Sequence, residues 1–263
     1  MKFYKIAYES LIFPIKSYNY LLILGILLLT SLIAAFIPAL LTQNNGIISL
    51  VSLAVFLFFG VIFIGFFIRV VHSTIHNEKI KNFNLFFNIY EGIKFLFLII
   101  FYFMIPTLIL TLLIIISGQV NAALTIGDTI ANLITQIITD INFLPDLLLY
   151  FLFAPITQAS GLLILDLIFS AFLFVGIGRY ADEFNLIRGV DLGTIINIIS
   201  EVWLDYILWI VVTLAIVFIL LFLSYFLLFS IIGILFYIII VQPFILLFLS
   251  RSIGLMYKEI CLN

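Results

Sequence analysis

Charge is what this chain has least of. Aspartate, glutamate, lysine and arginine make up 9% of its 263 residues, where a soluble domain carries roughly a quarter. So few ionic side chains cannot clothe a water-facing surface. The 11 basic and 13 acidic residues leave a formal net charge of −2, which offers no footprint for nucleic acid. A single cysteine, Cys261, excludes an internal disulfide and a thiolate metal cluster. The two histidines, His72 and His76, stand four apart, as a metal pair on a helix would, but lack a third ligand. They read as solvated groups at a helix end, and no metal or other cofactor is expected. No GxSxG, HExxH, P-loop or glycine-rich nucleotide fingerprint occurs, and no hydroxyl, imidazole and carboxylate share a catalytic spacing. An enzyme is not expected.

What is there is apolar. Hydrophobic residues are 66% of the chain and the mean hydropathy is +1.41, so the solvent for most of it is lipid. Residues 20–42, 47–68, 95–117 and 206–250 are free of charge, and 147–178 is interrupted only by Asp166. A helix rises about 1.5 Å per residue, so roughly 20 residues cross the hydrocarbon. The last run must therefore double back, around 224–233, and the expected fold is an all-α bundle of six transmembrane helices forming one membrane domain over 1–263. The first run follows Lys2, Lys5 and Lys16 without a small-x-small cleavage pattern, and reads as a retained signal anchor.

Basic residues near span ends stay on the cytoplasmic side. With the amino terminus inside, all 11 lysines and arginines fall in the cytoplasm, including Arg69, Lys94, Arg179, Arg188, Arg251 and Lys258. The external segment 118–146 carries instead Asp128, Asp140 and Asp146, and its isoleucines recur at helical spacing from Ile126 to Ile141. Both termini are expected in the cytoplasm of a multi-pass cell-membrane protein whose partner is the lipid bilayer.

An amphipathic segment precedes each pair of spans, at 3–16, 83–94 and 191–203. In the second, Phe83, Phe86, Phe87 and Tyr90 recur at helical spacing, while Asn84, Asn88, Glu91 and Lys94 lie on or beside the opposite face. Such segments are expected to lie in the cytoplasmic interface, with rings at headgroup depth and basic groups toward anionic lipid. The layout repeats over 1–69, 82–179 and 190–251. Arg69 and Arg179 each close a hairpin just after glycines (Gly65; Gly176 and Gly178), and each is followed 22 residues later by a glutamate, Glu91 and Glu201. Arg251 closes the third hairpin. Asn19-Tyr20-Leu21-Leu22 aligns with Asp205-Tyr206-Ile207-Leu208, and three repeated hairpin units are expected.

Asp166 is the ionisable side chain placed well inside an expected span, and on insertion scales an aspartate there costs roughly 2.5 to 3.5 kcal/mol. Gln158 lies two turns before it, and Gln242 stands beside Pro243 in the last span. These three form the candidate intramembrane polar site. Pro38, Pro106, Pro155 and Pro243 lie in or beside spans; at Pro106 and Pro243 the carbonyls of Tyr102 and Ile239 lose their usual donors, and kinks are expected.

The stretch from Gly65 to Arg69, then Phe83, Leu85, Phe86 and the run Glu91-Gly92-Ile93-Lys94, then Tyr102 and Pro106, then Arg179-Tyr180-Ala181, and finally Ser250-Arg251 with Gly254-Leu255, carry a resemblance. Along its whole length the chain resembles an uncharacterised family of prokaryotic, largely archaeal, polytopic membrane proteins classed as a domain of unknown function. Lys81 and Asn82 stand where that family's pattern has Leu-Pro. The resemblance implies the architecture and a prokaryotic cytoplasmic membrane; it implies no activity. The expected function is that of a non-enzymatic membrane-organising or accessory protein, with a possible unknown protein partner. A small transporter or channel using the kinked helices and Asp166 is the alternative, and a membrane-embedded enzyme the third reading.

Overall fold

A computed structural model describes residues 2–41, 45–80, 83–116 and 160–262. All regular structure among the described residues is helical, as lipid demands of a backbone whose polar groups have no water to bond. Helix α1, Lys2–Lys16, ends at Ser17, and α2, Tyr18–Leu41, continues from it at a bend of 71°. Helix α3 is Asn45–Ile75. It stops in a left-handed cap at Asn77 (φ 54°), where the amides of Glu78 and Asn77 donate back to Ser73 at 2.9 Å and Thr74 at 3.4 Å, a closure asparagine tolerates. Helix α4, Leu85–Ile116, starts where the Asn84 side chain accepts the Phe87 amide at 3.2 Å.

Helix α5 is Ser160–Glu183, α6 Leu186–Val190, α7 Leu192–Glu201 and α8 Trp203–Tyr225. A 3₁₀ turn over Phe226–Phe229 and extended Ser230 follow, then α9, Ile231–Phe236. The chain reverses there, within the expected 224–233 window. A π turn at Tyr237–Val241 leads into α10, Gln242–Met256, and a second π turn, Tyr257–Cys261, completes it. The first of these lies directly ahead of Pro243, whose ring would otherwise meet the Ile239 carbonyl. Gly25 of α2 lies against that carbonyl, and a β-carbon there would collide with it.

Among the described residues four helical stretches are long and apolar enough to cross a membrane: Leu50–Ile75, Leu85–Pro106, Trp203–Tyr225 and Ile232–Cys261, with the bent pair α1 and α2 as a fifth. The described part of the chain is thus all-helical, with several membrane-type helices. Of the run 147–178 only the part from Ser160 onward is described, and the segment 118–146 lies outside the described residues.

The structure adds to the reading of 83–94 as an interfacial amphipathic segment. From Leu85 the segment is the start of α4. Asn88 (0% exposed) and Glu91 (4%) are buried, whereas Phe86 is 84% exposed. Inside a bilayer the usual rule inverts: hydrocarbon accepts the rings, and only protein can supply partners to an amide or carboxylate.

The chain divides into two compact bodies, one of Met1–Ser31, Phe59–Leu98 and Ala171–Asn263, the other of Leu32–Phe58 and Ile99–Ser170. In the first, Leu21 and Leu24 of α2, Phe63, Phe66 and Val70 of α3 and Leu247 of α10 form a core cluster. The last turns of α3 are buried nearly all round, at Phe66, Ile68, Val70, Val71, Ser73, Thr74 and Ile75, as befits a helix surrounded by protein.

Candidate functional site

In the first body the ends of α3, α5 and α10 meet one another. His72 donates through Nδ1 to the Ala181 carbonyl at 2.7 Å. His76 Nε2 lies 3.0 Å from the Asp182 carbonyl and 3.1 Å from its Oδ1. The histidines are therefore joints between α3 and α5, which corrects their reading as solvated headgroup neighbours: carbonyls at the end of another helix supply the bonds water would have made. Between α3 and α10, Gly254 fits against the Thr74 side chain and the Val71 carbonyl, Arg251 Nη1 donates to Thr74 Oγ1 at 3.1 Å and Lys258 to Asn77 at 2.6 Å. Between α5 and α10, Gly178 lies against the Tyr257 ring. Glycine at these contacts lets helices approach to backbone distance.

Phe184, at the end of α5, has φ 52°, a left-handed conformation that strains a bulky residue. Its ring lies 4.5 Å from His72, 5.4 Å from Phe87 and 6.5 Å from Tyr180, centroid to centroid. Those contacts hold the strained backbone in place.

Beside this junction the Tyr180 hydroxyl donates to Glu91 Oε2 at 2.6 Å, and Lys94 Nζ donates to Glu91 Oε1 at 3.1 Å while lying 4.1 Å from the centre of the Tyr90 ring. Each carboxylate oxygen has a donor, which is what makes a buried charge tolerable. Gly65 fits against the Asn88 backbone carbonyl, and Gly92 against that of Val61. The Asn88 side-chain amide has no hydrogen-bond partner among the described residues. With both oxygens engaged, Glu91 acts as a brace between α4 and α5.

Three arginines mark the ends of three helices. The Arg69 guanidinium lies 4.9 Å from the centre of the Phe87 ring and that of Arg251 5.2 Å from the Phe13 ring, within cation–π range. Arg179 Nη2 is 3.4 Å from Asp191 Oδ2. Asp191 also caps α7, accepting the Thr194 amide at 3.3 Å and its hydroxyl at 2.5 Å. The Thr194 hydroxyl, then its amide, then the Arg179 charge hold the Asp191 carboxyl below the usual carboxylate range.

Residues 47–249 match the family model described as Protein of unknown function (DUF4013). The chain belongs to this family. No curated protein and no solved structure matches it. The DUF4013 match takes in Arg69, Glu91, Tyr180, Arg179 and Asp191.

Of the residues singled out from the DUF4013 sequence, Gln242 is half-buried in the first turn of α10. Asp166 lies in α5, but its side chain, like Gln158 as a whole, is outside the described residues. Among the described residues no three His, Cys, Asp or Glu side chains converge as a metal group. The sequence marks Glu91, Asn88 and Tyr180 but not their burial together, and a signal for two of them exists. Asn84, Asn88, Glu91, Phe95, Leu98 and Tyr102 step by four and three alternately, the spacing of one helix seam. Phe95 (4% exposed), Leu98 (0%) and Tyr102 (1%) are its buried continuation.

Proposed function

We propose that this is a non-enzymatic, membrane-organising protein of a prokaryotic cell membrane, with six spans, both termini in the cytoplasm and three hairpin units at 1–69, 82–179 and 190–251. In each unit a leading segment and an outgoing helix (α2, α4, α8) are followed by a returning helix (α3, α5, α10). The observation that carries the reading is the mutual closure of the three returning ends. Glycine-to-backbone and glycine-to-ring contacts at Gly254 and Gly178, with the His72 bond to Ala181, make that junction a packed brace. A transport path would have to open there.

Around this closed end, outward-facing rings and aliphatic groups support an interfacial role. Tyr4 (77% exposed) and Phe86 (84%) belong to the first two leading segments, and Ile187 (76%) and Trp203 (56%) flank the third. Aromatic and aliphatic groups at that level favour the headgroup boundary, where a rim of them orders neighbouring lipid.

Spin labels at Phe86, Ile187 and Trp203, with the protein reconstituted in vesicles, test the reading. They should report headgroup depth, while the vesicles show no ion or proton flux under an imposed gradient. A flux that Asp166→Asn abolishes would replace this reading with the transporter, and labels fully in water would remove the interfacial rim.

A further inference from the structure

Resting on the three-unit reading, we propose that the units close into a ring, with each returning helix docking on the leading segment and outgoing helix of the next unit and the third docking on the first. The arginines show the order. Arg69 of the first unit meets Phe87 of the second, Arg179 of the second meets Asp191 of the third, and Arg251 of the third meets Phe13 of the first. Two of these junctions join neighbours in sequence. The last joins opposite ends of the chain.

A second set of contacts, further along the helices, follows the same order. From the first unit to the second, Gly65 fits against Asn88 and Gly92 against Val61. From the second to the third, the Tyr206 hydroxyl donates to the Ala171 carbonyl, and the rings of Phe174 and Trp209 meet edge-on at 5.5 Å. From the third to the first, Gly25 fits against Ile239, and Leu247 joins Leu21 and Leu24 in one core cluster. Lys5 Nζ lies 3.6 Å from Glu259 Oε1, so the two ends of the chain stand side by side.

A linear array of hairpins exposes an unmatched face at each end and needs caps. Closure removes both. It also gives α1 a role, because α1 receives Arg251 as the second and third leading segments receive Arg69 and Arg179. The arginine acts by charge and by its flat face, and its partner is a ring or a carboxylate according to the segment.

The test replaces Cys261 with serine and introduces cysteine pairs, one junction at a time: Arg69 with Phe87, Arg179 with Asp191, and Arg251 with Phe13. A short bismaleimide is applied in native membranes, and intramolecular bridging is read as a gel shift. The ring requires all three pairs to bridge to a similar extent. If the first two bridge and the third does not, the ring is overturned while the three-unit reading stands; if the first two also fail, that reading falls with it. Because an arginine replacement can prevent folding, spin labels at Tyr4 and Leu262 provide a version that keeps every arginine. A short, single distance between them supports closure, and a long or broad distribution overturns it.

Discussion

The hydroxyl of Tyr180 donates to Oε2 of Glu91 at 2.6 Å, across 89 residues of sequence, and ties the returning end of α5 to the first turns of α4. Lys94, one turn beyond Glu91 on the same helix, bonds the other oxygen at 3.1 Å. The carboxylate thus takes one donor from its own helix and one from the neighbour. This makes the pair a fastening between helices, and its parts can be separated by mutation.

Glu91→Ala leaves the Tyr180 hydroxyl only its longer bond to the residue-91 backbone carbonyl, at 3.3 Å, and takes the counter-charge from the half-buried Lys94, and should cost about 1–3 kcal/mol. Tyr180→Phe removes one bond to a charged acceptor and should cost about 1.5–3 kcal/mol. Glu91→Gln keeps an oxygen for Tyr180 and should be milder than the alanine variant. Thermal unfolding in detergent checks the order; equal losses for Gln and Ala would show that the charge matters and the Tyr180 bond does not.

What could be read from the sequence followed from the absence of charge. Where they are described, the long apolar runs are helical, and the reversal of the last one falls at 226–230, inside the window that bilayer thickness dictates. The arginines near the ends of α3, α5 and α10 were also legible, because glycine and a fixed 22-residue interval to a glutamate mark two of them. The orientation of the start of α4 was not. Its periodicity shows two faces, but not which medium each one meets, and in a membrane the ring-bearing face of Phe86 and Tyr90 turns outward while Asn88 and Glu91 turn in. Nor could sequence show that His72 and Tyr180 are bonded across 109 and 89 positions, since such partners are set by folding and leave no local pattern.

The glycines separate close packing from helix propensity. Gly65→Ala would drive a β-carbon into the Asn88 backbone, and should destabilise by about 1–3 kcal/mol as overpacking does. Gly60 lies one turn away on the same helix with nothing within 4 Å of such a carbon. Gly60→Ala should be neutral, or stabilising by up to about 1 kcal/mol. Unfolding midpoints that move alike for both would mean that α3 and α4 do not approach through Gly65.

Asp191 sets a pH response for α7. Its carboxyl is held below the ordinary range mainly by the Thr194 hydroxyl and amide, with Arg179 contributing. A depressed carboxylate adds stability that is complete above the unfolded value of about 3.9 and is lost as pH falls through the folded value. Protection of the Thr194 and Ile195 amides, read as exchange relative to the intrinsic rate at each pH, should therefore be constant from neutral pH to about 5 and fall only below about 4. Asp191→Asn keeps a capping oxygen and should flatten that acid limb; an unchanged limb would assign it to another carboxylate.

Charge pairing bears on how the proposed rim is held. Lys5 pairs with Glu259, Lys94 with Glu91, Arg179 with Asp191 and Arg188 with Glu183. An unpaired cation near an anionic leaflet contributes about 1 kcal/mol of attraction, and paired ones contribute little. Insertion of the rim should then rest on apolar burial at Tyr4, Phe86 and Ile187. Label depth at Phe86 and Ile187 should stay the same when anionic lipid is replaced by zwitterionic lipid and when salt is raised. Labels that rise toward water on either change would return electrostatic attraction to first place.

Ring closure predicts that the order of the units in the chain is immaterial to the fold. A circular permutant joins residue 263 to residue 1 through a short Gly-Ser linker and opens the chain between Glu78 and Lys79. Both are exposed and non-helical, so new ends there disturb no helix, and Lys5 near Glu259 shows that the joined ends need no long span. All ends stay on one side of the membrane in the six-span topology. The permutant should insert, elute as the parent does and unfold within a few degrees of it, because every inter-unit contact at Arg69, Arg179 and Arg251 is retained. Opening the chain instead within α7, between Thr194 and Ile195, breaks a leading segment and should fail. If both permutants behave alike, either folding or aggregating, the cyclic order of contacts is not what holds the protein together.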